Sequence, residues 1–171
     1  MSQIDIRLEG FEAGAPGSPR LQDCRRFVAE ALRELGAGDW ELSILLCTDA
    51  FMRGLNRRYR GLEEPTDVLS FSQLQPAGEG GPAAKAGVPG FRPAGEKGSA
   101  ARVAGDIVIS LDTLGRNADR EGESRETELK RLLIHGMLHL QGLDHSEEGA
   151  SEMLLVQERL LEGLREKRIE I

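Results

Sequence analysis

The chain has 171 residues, 39% hydrophobic and 30% charged, with a formal net charge of −7. That length can bury a core without disulfide or metal staples, and the acidic balance excludes broad electrostatic binding of nucleic acid or anionic membrane. No apolar run is long enough to cross a bilayer, and MSQIDIRLEG lacks the parts of a signal peptide, so a cytoplasmic location is expected.

QIDIRL (3–8) alternates as a first strand. From Leu21 to Leu35 the apolar residues follow helical spacing, with Ser18-Pro19 as the expected start and Gly36 as the stop. WELSILLCT (40–48) is short and apolar and reads as a largely buried strand. Thr48 and Asp49 can cap a second helix through AFMRGLNRRY to Gly61. DVLSFS (67–72) and GDIVIS (105–110) read as two more strands, and Leu111 to Asp119 as a short helix. Between those strands, residues 74–104 hold seven glycines and four prolines, a composition expected of a flexible surface insertion within one domain (1–171).

Ser124 is a good N-cap, with Glu126 and Glu128 near the positive end of a helix that runs to about Leu140 and ends near Gly142. A last helix, about Glu147 to Lys167, carries Met153, Leu154, Leu160, Leu161 and Leu164 on its apolar side. Together these elements predict an α/β (α+β-like) fold in which a small mixed sheet of about four strands packs with about five helices. Cys24 and Cys47 sit among apolar residues and read as small buried hydrophobes.

All three histidines of the chain lie within HGMLHLQGLDH (135–145). His135 and His139 are four apart on a predicted helix, so they project from one face about a turn apart. Gly142 lets the chain turn, and His145 can return to the same point as a third ligand. Three neutral imidazoles leave a tetrahedral position open, the pattern of a catalytic zinc site, where bound water has its pKa lowered to about 7. Nickel or copper would also accept three imidazoles. The competing reading is three separate histidines, each satisfied by local hydrogen bonds. The spacing H-x-x-x-H-x-x-G-x-x-H matches that of metzincin proteases, but their glutamate general base is replaced here by Gly136, which argues against peptidase activity.

The second informative stretch is RGLNRRYRGLEEPTDVLSFS (53–72), with Arg53, Arg57, Arg58 and Arg60 close together. A helix would align Arg53, Arg57 and Arg60 on one side, where planar guanidinium forks suit phosphate oxygens. Tyr59 could offer a ring for a base to stack on, which makes Arg53, Arg57 and Tyr59 candidate RNA-binding residues. The plainer reading is a solvated helix paired with Glu63 and Glu64.

Three blocks, LNRRYRGLEEPTDVLSF (55–71), GDIVIS (105–110) and LLIHGMLHLQGLDH (132–145), resemble the YbeY family, bacterial endoribonucleases of ribosomal RNA maturation. The resemblance covers nearly the whole chain. It implies that His135, His139 and His145 hold one zinc ion, and that Arg60 is the functional basic residue of a metal cleft on one side of the fold. It also implies a single-strand endoribonuclease acting in 16S rRNA 3′-end processing and ribosome quality control. The partners implied are the 16S precursor and the small ribosomal subunit with its assembly proteins, with no DNA or membrane. The chain departs from the family in the length of the glycine- and proline-rich stretch and at Leu143, where an aromatic often precedes the Asp-His pair.

On this reading Arg60 and His139 are the catalytic candidates, and Asp144, Asp67 and Asp106 are the carboxylates available to accept a proton. Asp144 could equally orient a ligand imidazole, while Asp67 and Asp106 are expected to cap turns. Two other functions fit the same residues: a metal-dependent hydrolase of another substrate, and a ribosome-biogenesis binding protein whose zinc is mainly structural.

Overall fold

The computed structural model describes residues 2–74, 102–143 and 147–171; Asp144, His145 and nearly all of the glycine- and proline-rich stretch lie outside them. The chain runs β1 (Gln3–Glu9), α1 (Leu21–Glu34), β2 (Trp40–Cys47), α2 (Asp49–Arg60), β3 (Val68–Ser72), β4 (Arg102–Ser110), α3 (Leu111–Glu121), α4 (Arg125–Leu140) and α5 (Glu147–Gly163). The strands form one sheet in the order β1-β2-β4-β3. β1, β2 and β4 are parallel, and β3 lies antiparallel to β4 at the edge. The expected mixed sheet packed with helices is the architecture found.

β2 owes its central place to its composition. All eight of its residues are buried, as a near-continuous apolar strand must be when both faces of the sheet are covered. On one face Phe27, Val28 and Leu32 of α1 join Ile107 and Ile109 of β4 and Leu133 and Met137 of α4. On the other face, Met52 and Leu55 of α2 meet Leu45, Leu69 and Val108. The two histidine-bearing turns of α4 and the arginine-rich α2 therefore belong to opposite layers. They can meet only past the edge strand β3. Among the described residues, no helix is long and apolar enough to cross a membrane.

Helix ends follow local chemistry. The Thr48 hydroxyl accepts from the Phe51 amide at 3.4 Å, and Gly61, at φ +71°, closes α2 in the left-handed conformation that glycine adopts without strain. Asp49 ties the start of α2 to α3. One carboxylate oxygen accepts from the hydroxyls of Ser110 (2.6 Å) and Thr113 (2.7 Å), the other from Arg116 (2.7 Å). Burial alone would raise the Asp49 carboxyl, but these hydrogen bonds outweigh it and hold the group below its ordinary value. Burial pushes the thiols of Cys24 and Cys47 up to about 12, which leaves both as inert core residues.

Three sequence expectations are corrected. α1 begins after Arg20 rather than at Ser18-Pro19, because the Arg20 amide donates to the Glu170 carbonyl (2.7 Å) of the C-terminal tail while the Ser18 hydroxyl closes its own turn on Ala15. β4 starts at Arg102, not Gly105, so residues 102–104 belong to the sheet and not to the insertion. The glycine that reads as a boundary lies inside the strand, next to a bulge at Ala104 where the register between β2 and β4 shifts. α5 ends at Gly163, four residues short of Lys167, and Leu154 points to solvent at 57% exposure while Met153, Leu160 and Leu164 are buried.

Candidate active site

α4 presents His135 and His139 on one face, one turn apart, with their rings edge to face and their Nε2 atoms 3.0 Å apart. The helix is fixed at its start by the Ser124 hydroxyl, which accepts from the Thr127 amide at 3.0 Å. It ends in a turn where the Gly142 amide donates to the His139 carbonyl and Gly142 takes φ +90°. The expected ligand His145 and its neighbour Asp144 lie outside the described residues. Among the described residues, no three His, Cys, Asp or Glu side chains gather closely enough to hold a metal ion.

The histidine pair faces the edge strand. A cleft of about 330 Å³ is lined by Arg60, Thr66, Asp67, Val68, Ser70, Ser72, His135 and His139. Alternation along β3 turns Val68, Ser70 and Ser72 toward α4, and Leu69 and Phe71 toward α2. The Ser72 hydroxyl donates to the Leu140 carbonyl at 3.3 Å and so ties β3 to the end of α4. Arg60 reaches the cleft from the last residue of α2, around the sheet edge. The loop behind it is held by the buried Asn56, whose amide donates to the Glu64 carbonyl at 2.7 Å. Among the described residues, Arg60 has no carboxylate partner.

The other sequence candidates separate. Arg53 is exposed on α2 and does not line the cleft. Arg57 pairs with Glu63 at 3.3 Å, on the solvated surface. Tyr59 is half-buried against Phe71, ring centroids 5.0 Å apart, with the Arg58 guanidinium 5.6 Å from its ring. Asp67 lines the cleft, but its carboxylate is engaged by the turn it makes. One oxygen accepts from the Val68 amide (2.8 Å) and the Thr66 hydroxyl (3.3 Å), the other from Asn117 (3.4 Å).

Asp106 does not cap a turn. It lies inside β4, paired in register with Ser43 and Phe71, on the face opposite α4 and away from the histidines. Burial pushes its carboxyl up to about 6, against a hydrogen bond from Gln73 (3.3 Å) that would lower it. Among the described residues, its Oδ1 has no hydrogen-bond partner. Because the folded-state value is raised, the penalty is absent below about 4, grows between about 4 and 6, and is complete above that range. Asp106→Asn is therefore expected to raise stability at neutral pH by about 3 kcal/mol, at about 1.4 kcal/mol per pH unit of pKa difference, and by nearly nothing at pH ~3.5. Urea unfolding at the two pH values measures this, and an equal change at both would show that the carboxyl titrates normally.

Gly136 explains why this helix carries no protease base. A Cβ there would stand 2.8–3.1 Å from three side-chain atoms of Ile107, which is fully buried. The position after the first histidine is packed against β4, so a glutamate has no room. Gly136→Ala is expected to cost about 1–3 kcal/mol through overpacking, despite alanine's better helix propensity. Thermal unfolding tests it, and a stabilised variant would mean that Ile107 gives way freely.

The family model described as endoribonuclease YbeY matches residues 18–165. The chain belongs to the YbeY family. An endoribonuclease YbeY of Treponema denticola is 41% identical over 152 residues, covering 88% of each chain. One of Moorella thermoacetica is 42% identical over 164 residues, covering 94% of this chain and 97% of that one. The solution structure of a Thermotoga maritima protein shares the fold at a TM-score of 0.55 and 24% identity, covering 94% of this chain and 92% of the other.

Sequence reasoning missed several residues that build the YbeY-family cleft here. Ser70 and Ser72 were legible only as strand residues, although alternation places both on the face of Val68. Gln157 of α5 sets its Oε1 3.2 Å from His135 Nδ1 and is 4% exposed. Its signal was present in the sequence. It stands between Met153 and Leu160 on the apolar stripe of α5, where a polar residue needs a partner.

Proposed function

We propose that this chain is a zinc-dependent endoribonuclease that cuts single-stranded RNA, acting in the cytoplasm on the 16S rRNA precursor at its 3′ end and in ribosome quality control. Family membership supports the coarser reading, an RNA-cleaving hydrolase. The observation that carries the site is the meeting of Arg60 with the two imidazoles in one cleft. Two Nε2 atoms 3.0 Å apart can both reach a single zinc ion at the usual Zn–N distance of about 2.0–2.1 Å, so the donor set fits that metal. His145 is the third ligand in this reading, and the small ribosomal subunit with its assembly proteins supplies the partners.

When bound, zinc supplies Lewis acidity toward a phosphodiester oxygen. Arg60 holds the phosphate by its planar fork and offsets charge that develops on the non-bridging oxygens. The Ser70 hydroxyl lines the same cleft and can donate to a phosphate or sugar oxygen of the RNA, whereas the Thr66 and Ser72 hydroxyls already donate to Asp67 and the Leu140 carbonyl. A closed structural zinc site is less well supported, because such sites draw on cysteines and both cysteines here are buried, in α1 and β2.

Metal content tests the reading. Purified wild type is expected to retain about one zinc ion per chain after dialysis, and His139→Ala to retain nearly none with unchanged circular dichroism. Equal zinc in both proteins would remove the cleft as the metal site.

A further inference from the structure

We infer that Gln157 is a positioning residue for His135: it holds the imidazole in the tautomer that keeps its proton on Nδ1 and turns the Nε2 lone pair into the cleft. The inference deepens the metal reading and rests on it for its functional meaning.

The geometry supports this assignment at three levels. Gln157 lies on the buried stripe of α5 with Met153, Leu160 and Leu164, so the packing of α5 fixes where its amide sits. Its Oε1 lies 3.2 Å from His135 Nδ1, and a carbonyl oxygen can only accept, so the ring nitrogen donates. In a neutral imidazole a proton on Nδ1 leaves Nε2 with its lone pair, and His135 Nε2 is the atom that faces His139 Nε2 at 3.0 Å. A metal-binding imidazole needs that arrangement, with an acceptor on the far nitrogen to fix the ring and raise its basicity. Among the described residues, none of α5 lines the cleft, and Gln157 acts on it through His135.

The reverse polarity makes an opposite prediction. If the Gln157 amide nitrogen faced the ring, it would donate to Nδ1, the proton would move to Nε2, and His135 would have to give up both that proton and the hydrogen bond to ligate through Nε2. Two substitutions separate the cases. Gln157→Glu keeps an acceptor at the same reach and removes every donor, whereas Gln157→Met keeps length and volume and removes the acceptor.

The experiment has two readouts on wild type and both variants. The first is nitrogen-15 NMR of the His135 ring in metal-free protein at mildly alkaline pH, which reports the tautomer without any metal. The second is zinc affinity by competition with a chromogenic chelator, alongside thermal unfolding. The expected result is an Nδ1-protonated His135 in wild type and Gln157→Glu, and a tautomer mixture in Gln157→Met. Zinc affinity should fall by about 10–100-fold in Gln157→Met and stay at or above the wild-type level in Gln157→Glu. A purely structural role would move the melting temperature and leave affinity and tautomer unchanged, which would overturn the inference. So would an Nε2-protonated ring in wild type, or weaker zinc binding in Gln157→Glu than in Gln157→Met. If wild type holds the Nδ1–H tautomer but binds no zinc, the metal reading fails while the positioning stands.

Discussion

Gly105→Ala is expected to remove a large part of the chain's stability, the largest loss of any single methyl addition at the described glycines. Gly105 takes φ +137°, a conformation that residues with a side chain rarely adopt. A Cβ there would stand 2.0 Å from the Phe71 carbonyl oxygen, a backbone atom in the paired strand β3, and 3.2 Å from Leu140. The Leu140 contact is a side-chain methyl that can give way, but the Phe71 carbonyl is backbone and cannot swing aside. Relief requires parting β3 from β4 at the point where β3 also holds the end of α4 through Ser72 and Leu140. A cost above about 4 kcal/mol is expected, against total stabilities of roughly 5–15 kcal/mol for ordinary domains. Thermal unfolding followed by circular dichroism gives the answer, and a variant melting within a few degrees of wild type would show that the bulge is not held as described. Because β3 forms one wall of the cleft, any folded fraction of this variant should also bind zinc poorly.

Arg60→Ala is the substitution expected to separate catalysis from metal binding. The guanidinium lines the cleft from α2 and sits on a different layer from the histidines, so its removal should leave zinc content and melting temperature near wild type. Loss of a preorganised donor to a developing oxyanion typically lowers kcat by about 10²–10³-fold, and kcat/KM for RNA cleavage should fall by at least that. Arg60→Lys keeps the charge and loses the bidentate fork, so it should recover only part of the loss. Steady-state cleavage of a labelled single-stranded RNA, with metal content measured on the same preparations, distinguishes these outcomes. Full activity in Arg60→Ala would place phosphate recognition on other residues.

Much of this fold could be read before the structure because its signals are local. The apolar run of β2, the Thr48 and Ser124 caps and the glycine stops at Gly61 and Gly142 each act within a few residues. The i, i+4 spacing of His135 and His139 likewise translates directly into a shared helix face. What escaped depends on contacts distant in sequence. Gly105 reads as the first residue of a strand until β3 and β2 are known to pair on either side of it, and the start of β4 was misplaced for that reason. Asp106 reads as a turn residue because a carboxylate in a central strand is costly, and its raised pKa records that cost. Leu154 satisfied the apolar count of α5 yet faces solvent, whereas Gln157, a polar residue, takes the buried slot and meets His135. Arg53, Arg57 and Arg60 align on one helix face as spacing requires, but only the last reaches the cleft, because the sheet edge ends there.

The most direct test of the central claim is cleavage of a defined single-stranded RNA carrying the 16S 3′ sequence by zinc-loaded wild type, with His139→Ala run beside it and intact RNA followed over time. Cleavage by wild type that is lost in His139→Ala is the expected result and ties RNA hydrolysis to the histidine cleft. Equal cleavage by the two proteins would contradict it, since the activity would then owe nothing to the imidazoles that the fold brings together.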